Sequence, residues 1–229
     1  MSPTSKISDA SNKRSSDLGG NPSGQAHHQL IADLAKLGSK RKIRKGSLVV
    51  AEGDEDQSLI IILQGQMRVF LTGDSGKELT LGVHAEGEFL GELSLDGSPR
   101  SANIEAIEDC TYSQVSAAGV KKFISDQPDF AWLLITKLIK RVRNTTRTSK
   151  AVGLLDIYGR MAHLFDYMGV VQDDGSRQLH GRFTQQDLAN HIGCSREMVS
   201  KLLKDLRQGG YVESAGGRLR QLRAFPAKW

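Results

Sequence analysis

The chain has 229 residues, 38% of them hydrophobic and 25% charged, a balance that suits one large or two ordinary soluble globular domains. No apolar run is long enough to span a bilayer, and Met1 to Gly24 is polar, without the apolar core of a secretion signal, so a cytoplasmic protein with no membrane partner is expected. The net charge of +5 suits a nucleic-acid partner, whereas Cys110 and Cys194 make neither a disulfide framework nor a CxxC metal pair, and six scattered histidines form no ligand cluster or nucleophile–base spacing that would mark an enzyme.

Residues 1–26 are rich in Ser, Gly, Asn and Lys and lack a hydrophobic period, which predicts a disordered tail. An amphipathic helix is expected over His28–Leu37, with Leu30, Ile31, Leu34 and Leu37 on one face. His27 and His28 are adjacent and would point in different directions on that helix, so they predict no metal site. Short strands follow at Ser47–Val50, Leu59–Leu63, Gln66–Leu71, Glu78–Val83, Asn103–Ala106 and Thr111–Val115, each β-branched or alternating and divided from the next by glycine turns. Such a series predicts a β-roll or jelly roll over residues 27–128.

The stretch Phe89–Ser101 interrupts this series. It holds glycines that let backbone approach a ligand, the carboxylate of Glu92, and Arg100-Ser101 after a Gly97-Ser98-Pro99 turn. A guanidinium beside a hydroxyl suits a phosphate, which it matches bidentately; a glutamate suits a sugar hydroxyl. A surface loop with an ordinary Glu–Arg salt bridge fits the same spacing.

A helix over Ala117–Asp126 should halt at Gln127-Pro128. The longest helical stretch then runs from Asp129 to about Leu155, and a hinge closes the span 129–156. Ala131, Ile135, Leu138, Val142, Thr145, Ser149 and Val152 recur at steps of four and three, a seam that predicts two copies packed side by side. Lys137, Lys140, Arg141 and Arg143 are expected on its other faces. Within residues 157–229, Asp156 caps a helix from Ile157 to about Val170, and Val171–Leu179 reads as a polar connection.

Thr184-Gln185-Gln186-Asp187 opens a helix with Thr184 as cap. Gly193-Cys194-Ser195 is a tight turn, and a second helix, Arg196–Arg207, buries Val199, Leu202, Leu203 and Leu206. Together they predict a helix-turn-helix. Arg196, Glu197 and Lys201 are placed to read base edges from the major groove; Thr184, Gln186, Ser195 and Ser200 are expected on backbone phosphates. A small hairpin through Tyr211–Glu213, Gly216-Gly217 and Leu219–Leu222 would form a wing, with Arg218 and Arg220 also reaching phosphates.

Phe89-Leu90-Gly91-Glu92-Leu93 followed by Pro99-Arg100-Ser101-Ala102 resembles the ligand cassette of the cyclic-nucleotide-binding family, in particular the catabolite activator (CRP/FNR) group of bacterial transcription regulators. Lys45-Gly46, Glu52-Gly53-Asp54, the hinge Leu154-Leu155-Asp156-Ile157 and the run from Ile192 to Val199 extend the likeness from about Ala32 to Ala224. The resemblance implies an α+β chain: an N-terminal β-roll, a long dimerisation helix and a C-terminal winged helix-turn-helix. It implies a cyclic-nucleotide site made by Gly91, Glu92, Leu93, Arg100, Ser101 and Ala102, with Glu92 on the ribose 2′-hydroxyl and Arg100 and Ser101 on the cyclic phosphate. Thr145 and Thr146 align with two hydroxyl residues that meet the purine base, one of them from the partner subunit.

The implied effector is cAMP, with cGMP, cyclic di-GMP and a nucleotide-independent member as alternatives, and no cofactor or metal. The implied partners are a second copy, double-stranded DNA with a two-fold symmetric operator, and RNA polymerase. Lys201 stands where the best-known members carry a second arginine; lysine is a point donor rather than a fork, so specificity at that base should be looser. Two cysteines are too few for the iron–sulfur branch of the family. Arg100→Leu is expected to silence the ligand response with the fold intact.

Overall fold

The computed structural model of the chain describes residues 22–179, 181–215 and 218–226. Helix α1 (Pro22–Ala35) starts at a proline, which suits a first helical turn, and begins earlier than expected. Residues 22–26, expected in the tail, are therefore helical, and residues 1–21 lie outside the described residues.

Eight strands then build the β-roll: β1 (Ser39–Ile43), β2 (Leu48–Val50), β3 (Leu59–Gln64), β4 (Gln66–Thr72), β5 (Glu78–Ala85), β6 (Phe89–Leu90), β7 (Asn103–Ala106) and β8 (Cys110–Val115). They form two four-stranded antiparallel sheets, ordered β1-β8-β3-β6 and β2-β7-β4-β5. Between the sheets lie Val50, Ile60, Ile62, Met67, Leu90, Ile104 and Tyr112. The outer face of the first sheet, with Leu59, Ile61, Phe89 and Val115, is covered by Ile31 and Leu34 of α1 and by two later helices. Strand β3 is thus buried on both faces, which is why it reads as an unbroken apolar run rather than an alternating one. Strand β1 was not expected: Lys40, Arg41 and Lys42 hide its period, and it sits at a sheet edge, where cations discourage further pairing.

Helix α2 (Ala117–Asp126) is capped by Ser116, which accepts from Gly119 N at 3.2 Å. Helix α3 (Pro128–Leu154) follows, about 40 Å long at 1.5 Å per residue. Phe130 and Leu133 anchor its first turns under the β-roll, while Trp132, Ile135, Ile139 and Val142 stay exposed along another face. Trp132 and Ile139 widen the apolar stripe beyond the expected seam.

Helix α4 (Ile157–Met168) is capped by Asp156, which accepts from Gly159 N at 2.7 Å. The expected polar connection is instead a hairpin, β9 (Gly169–Val171) with β10 (Arg177–Leu179), and the helix ends before it. Helices α5 (Gln185–Ile192) and α6 (Arg196–Gln208) meet at Gly193, whose φ of 67° makes the turn. Strands β11 (Val212–Ala215) and β12 (Arg218–Gln221) complete a four-stranded wing sheet, β11-β12-β10-β9; the expected turn at Gly216-Gly217 lies outside the described residues. Met161, Phe165, Leu188, Val199, Leu203 and Leu206 form the core of this half.

Candidate functional site

Strand β6 delivers the chain to Gly91, whose φ of 85° turns it into a short 3-10 helix, Glu92–Asp96. A Cβ at Gly91 would collide with the Arg100 guanidinium, so only glycine allows the approach. Arg100 is 4% exposed. Its Nη1 donates to Gly91 O at 3.1 Å and Ser94 Oγ at 2.9 Å, and its Nη2 donates to Asp56 Oδ2 and Ser58 O, each at 2.7 Å. The expected two-pronged phosphate clamp is therefore not free: both Nη groups are engaged, and the buried donor left without a partner is Nε. Burial works to raise the pKa of Asp56, but hydrogen bonds from Ser58 and Arg100 outweigh it and hold the carboxyl below its ordinary value.

Glu92 is 7% exposed and faces α3, where it forms an ion pair with Arg141. Beside that ion pair, neither carboxylate oxygen accepts a hydrogen bond. Arg141 also donates through Nη2 to Phe89 O at 2.5 Å. One turn earlier on α3, Lys137 lies 3.8 Å from Glu88 and over the Phe89 ring. Burial pushes Glu88 up, yet the His84 hydrogen bond and the charges of His84 and Lys137 bring it down to about 2. Arg141 and Lys137 thus point into the β-roll instead of lining the outer faces of α3. The four-residue spacing was visible in the sequence, but not which face met the pocket.

Gly91, Glu92, Leu93, Arg100, Ser101, Ala102 and Arg141 surround a small inner cavity. Beside it, sharing Glu92, Ser101 and Arg141, lies a cleft of about 900 Å³ that reaches Thr145 and Thr146 on α3 and Arg160, His163 and His191 in the C-terminal half. The expected ligand residues are therefore brought together. Thr146 Oγ1 donates to Val142 O at 2.9 Å, and Thr145 is exposed beside the cleft. Buried polar groups ordinarily find partners; orphan acceptors on Glu92 and an orphan donor on Arg100 in one cavity suit a ligand carrying both hydroxyl donors and anionic acceptors.

At the other end, Thr184 and Asp187 form a reciprocal cap on α5: Thr184 Oγ1 accepts from Asp187 N at 3.1 Å, and Asp187 Oδ2 accepts from Thr184 N at 2.8 Å. Ser195 caps α6 by accepting from Met198 N at 3.3 Å. Both hydroxyls expected on phosphates thus also fix helix ends. Gln186 is exposed and donates to Asn190 Oδ1 at 2.8 Å. Arg196, Glu197, Ser200 and Lys201 stand exposed on one face of α6. The backbone amide of Glu197 and the Ser195 side chain hold the Glu197 carboxyl below its usual range. On the wing Arg218 is exposed, but Arg220 is engaged by Asp174, by Ser176 Oγ at 2.7 Å and by Glu213 at 3.3 Å, which ties it to the fold rather than to a phosphate.

Among the described residues, two sets of hydrogen bonds join the halves. Asn190 of α5 donates to Glu78 of β5 at 3.0 Å, and Glu78 is held by Arg68 at 2.6 Å, which also pairs with Glu105. Arg160 of α4 donates to Val152 O at 2.9 Å, Leu155 O at 3.1 Å and Ile192 O at 3.2 Å, linking the end of α3 to the end of α5. Neither connection was visible in the sequence. Among the described residues no group of three His, Cys, Asp or Glu side chains is placed to hold a metal.

Residues 40–127 match the family of cyclic nucleotide-binding domains, and residues 159–224 match Crp-like helix-turn-helix domains. The cAMP-activated global transcriptional regulator Vfr of Pseudomonas aeruginosa is 31% identical over 186 residues, 77% of this chain and 86% of that protein. The corresponding regulator CRP of Salmonella typhimurium is 28% identical over 175 residues, 74% of this chain and 83% of its own. Among solved structures, the c-di-GMP-responsive regulator CLP of Xanthomonas campestris superposes with a TM-score of 0.74 at 24% identity, over 85% of this chain and 99% of that one. A CooA variant from Carboxydothermus hydrogenoformans gives 0.73 at 19%, over 84% and 87%. These two likenesses are of fold.

Proposed function

Because this chain belongs to the CRP/FNR family of transcription regulators, joining a cyclic nucleotide-binding domain to a Crp-like helix-turn-helix, we propose that it acts as a homodimer whose grip on DNA is switched by cAMP. The carrying observation is that Glu92, whose carboxylate accepts no hydrogen bond and is met by the Arg141 ion pair, and an unpartnered Arg100 Nε border one cavity facing α3. Glu92 accepts from the ribose hydroxyl. Arg100 Nε, the Ser101 hydroxyl and Arg141 hold the cyclic phosphate. Thr146 donates its hydroxyl hydrogen bond to Val142 O, so it presents lone pairs to the base. Those suit the amino group of adenine, whereas the keto oxygen of guanine needs a donor.

The exposed stripe of Trp132, Ile135, Ile139 and Val142 supports pairing of α3 with a second copy. A ligand held between the β-roll and this helix binds one arrangement of the pair better than another and so shifts their populations. About 5.5 kcal/mol of differential binding carries such an equilibrium from mostly off to mostly on. Arg160 passes the shift to α5 and α6, bringing the two copies of α6 to roughly 34 Å, one turn of DNA. Arg196, Glu197 and Lys201 then read base edges while Thr184, Gln186, Ser195 and Ser200 lie along phosphates. In this reading the protein is cytoplasmic, meets RNA polymerase at its promoters and catalyses no reaction.

A second ligand, cyclic di-GMP, is favoured by the size of the cleft, which extends well beyond the inner cavity. Calorimetric titration with cAMP, cGMP and cyclic di-GMP, followed by footprinting with each, separates the readings. Saturable heat from cAMP and cAMP-dependent protection are expected. No heat from cAMP, or protection indifferent to every nucleotide, would overturn the proposal.

A further inference from the structure

We infer that Asp56 is the specificity-determining residue of the nucleotide pocket: by balancing Arg100 it restricts the site to singly charged cyclic phosphodiesters and turns away doubly charged phosphomonoesters. The inference rests on the proposed cyclic-nucleotide reading and extends it to the class of phosphate admitted. Two cations border the inner cavity, Arg100 and Arg141, and each is already matched by one carboxylate, Asp56 at 2.7 Å and Glu92 in its ion pair. The empty cavity is therefore electrically even. A cyclic phosphodiester brings one negative charge into it, whereas a phosphomonoester, whose second ionisation lies near pH 6, brings about two at pH 8. With Arg100 and Glu92 shielded from water, the first charge leaves the cavity one unit negative, and the second must enter against that charge with little solvent to screen it.

Hydrogen bonding points the same way. The guanidinium gives both Nη groups to Asp56, Ser58, Gly91 and Ser94 and keeps Nε for the ligand. Arg100 thus adds a single donor to those of Ser101 and Arg141, enough for the two anionic oxygens of a diester but less suited to the three of a monoester. Asp56 is the member of the balance that lies behind Arg100, away from the cavity lining, and its side chain is 44% exposed. It can therefore be changed without removing a side chain from the cavity lining, and Arg100 Nη2 keeps its bond to Ser58 O.

The test compares cAMP with 5′-AMP, which share base and ribose, by calorimetry at pH 8. The unaltered protein should bind 5′-AMP at least about tenfold more weakly than cAMP. Asp56→Asn removes one negative charge, and a Coulomb energy scales with the charge of the ligand. It should therefore tighten 5′-AMP by about tenfold and cAMP by only about threefold, so that discrimination shrinks. Asp56→Glu, which restores the charge, should restore the discrimination; thermal melts confirm that both variants are folded. An unaltered protein that binds both nucleotides within about threefold overturns the inference even if a variant fails to fold. So does an Asp56→Asn protein that keeps the original ratio or weakens both nucleotides alike, the result of a purely supporting role. Absence of binding by either nucleotide to the unaltered protein would instead overturn the cyclic-nucleotide reading itself, and this inference with it.

Discussion

Arg100 gives two nitrogens to the fold and, in the proposed reading, keeps the third for the ligand. Replacing it by leucine removes the proposed phosphate donor and one donor each from Asp56, Ser58 O and Gly91 O, while Asp56 keeps Ser58 and Gln114 and Gly91 O keeps Ser94. A lost hydrogen bond to a charged group is worth about 1.5–3 kcal/mol, and the partial exposure of Asp56 discounts its share. Arg100→Leu should therefore cost about 2 kcal/mol of stability as well as the ligand response, read as a lower urea midpoint with an unchanged slope. The fold should still form, with a smaller margin of stability. Glu197 contrasts with it, for it stands exposed and its pKa is lowered at the start of α6. Glu197→Ala should leave nucleotide affinity unchanged while removing about 1–3 kcal/mol of base discrimination, measured as operator against scrambled DNA. Equal weakening on every sequence would mean that Glu197 does not read a base.

At the scale of elements, α3 is the part with the most to do: Arg141 enters the pocket, Val142 faces outward, and Val152 O is grasped by Arg160. Arg160→Met keeps the apolar stem but removes four carbonyl contacts, to Val152, Leu155, Ile192 and Gly193. It should bind cAMP with near-normal affinity while losing most of the cAMP-dependent gain in operator affinity, seen by fluorescence anisotropy with and without nucleotide. A variant that kept the full gain would assign the coupling elsewhere. The elements with strong local signals were legible: β3, β4 and β7 through branched apolar residues, α4 to α6 through their caps. Strand β1 was masked by its cations, and β9 and β10, three residues each, are too short to show a period. Glu92, Arg100 and Ser101 were legible as a local cassette. The partners of Arg100 and Glu92 were not, because Asp56 lies 44 residues from Arg100 and Arg141 arrives on another element; only the closed roll brings them together.

For the whole molecule, the exposed face of α3 is the surface on which the proposed pairing of two copies rests. Val142 is 65% exposed and Trp132 67%, more apolar surface than an isolated helix face ordinarily leaves to water. Val142→Glu places a charge at the centre of that stripe and should shift sedimentation from dimer toward monomer. Cooperative operator binding should be lost with it. A dimer that survived the change would place the contact between copies on another surface.

The contact of Asn190 with Glu78 reaches further than its single hydrogen bond. Through Arg68 and Glu105 it ties the first helix of the reading head to a sheet whose strands are paired along their length. Two halves bound in this way share the cost of coming apart. Heated in a scanning calorimeter without nucleotide, the protein should melt in one endotherm, and Asn190→Ala should divide that peak into an early and a late component.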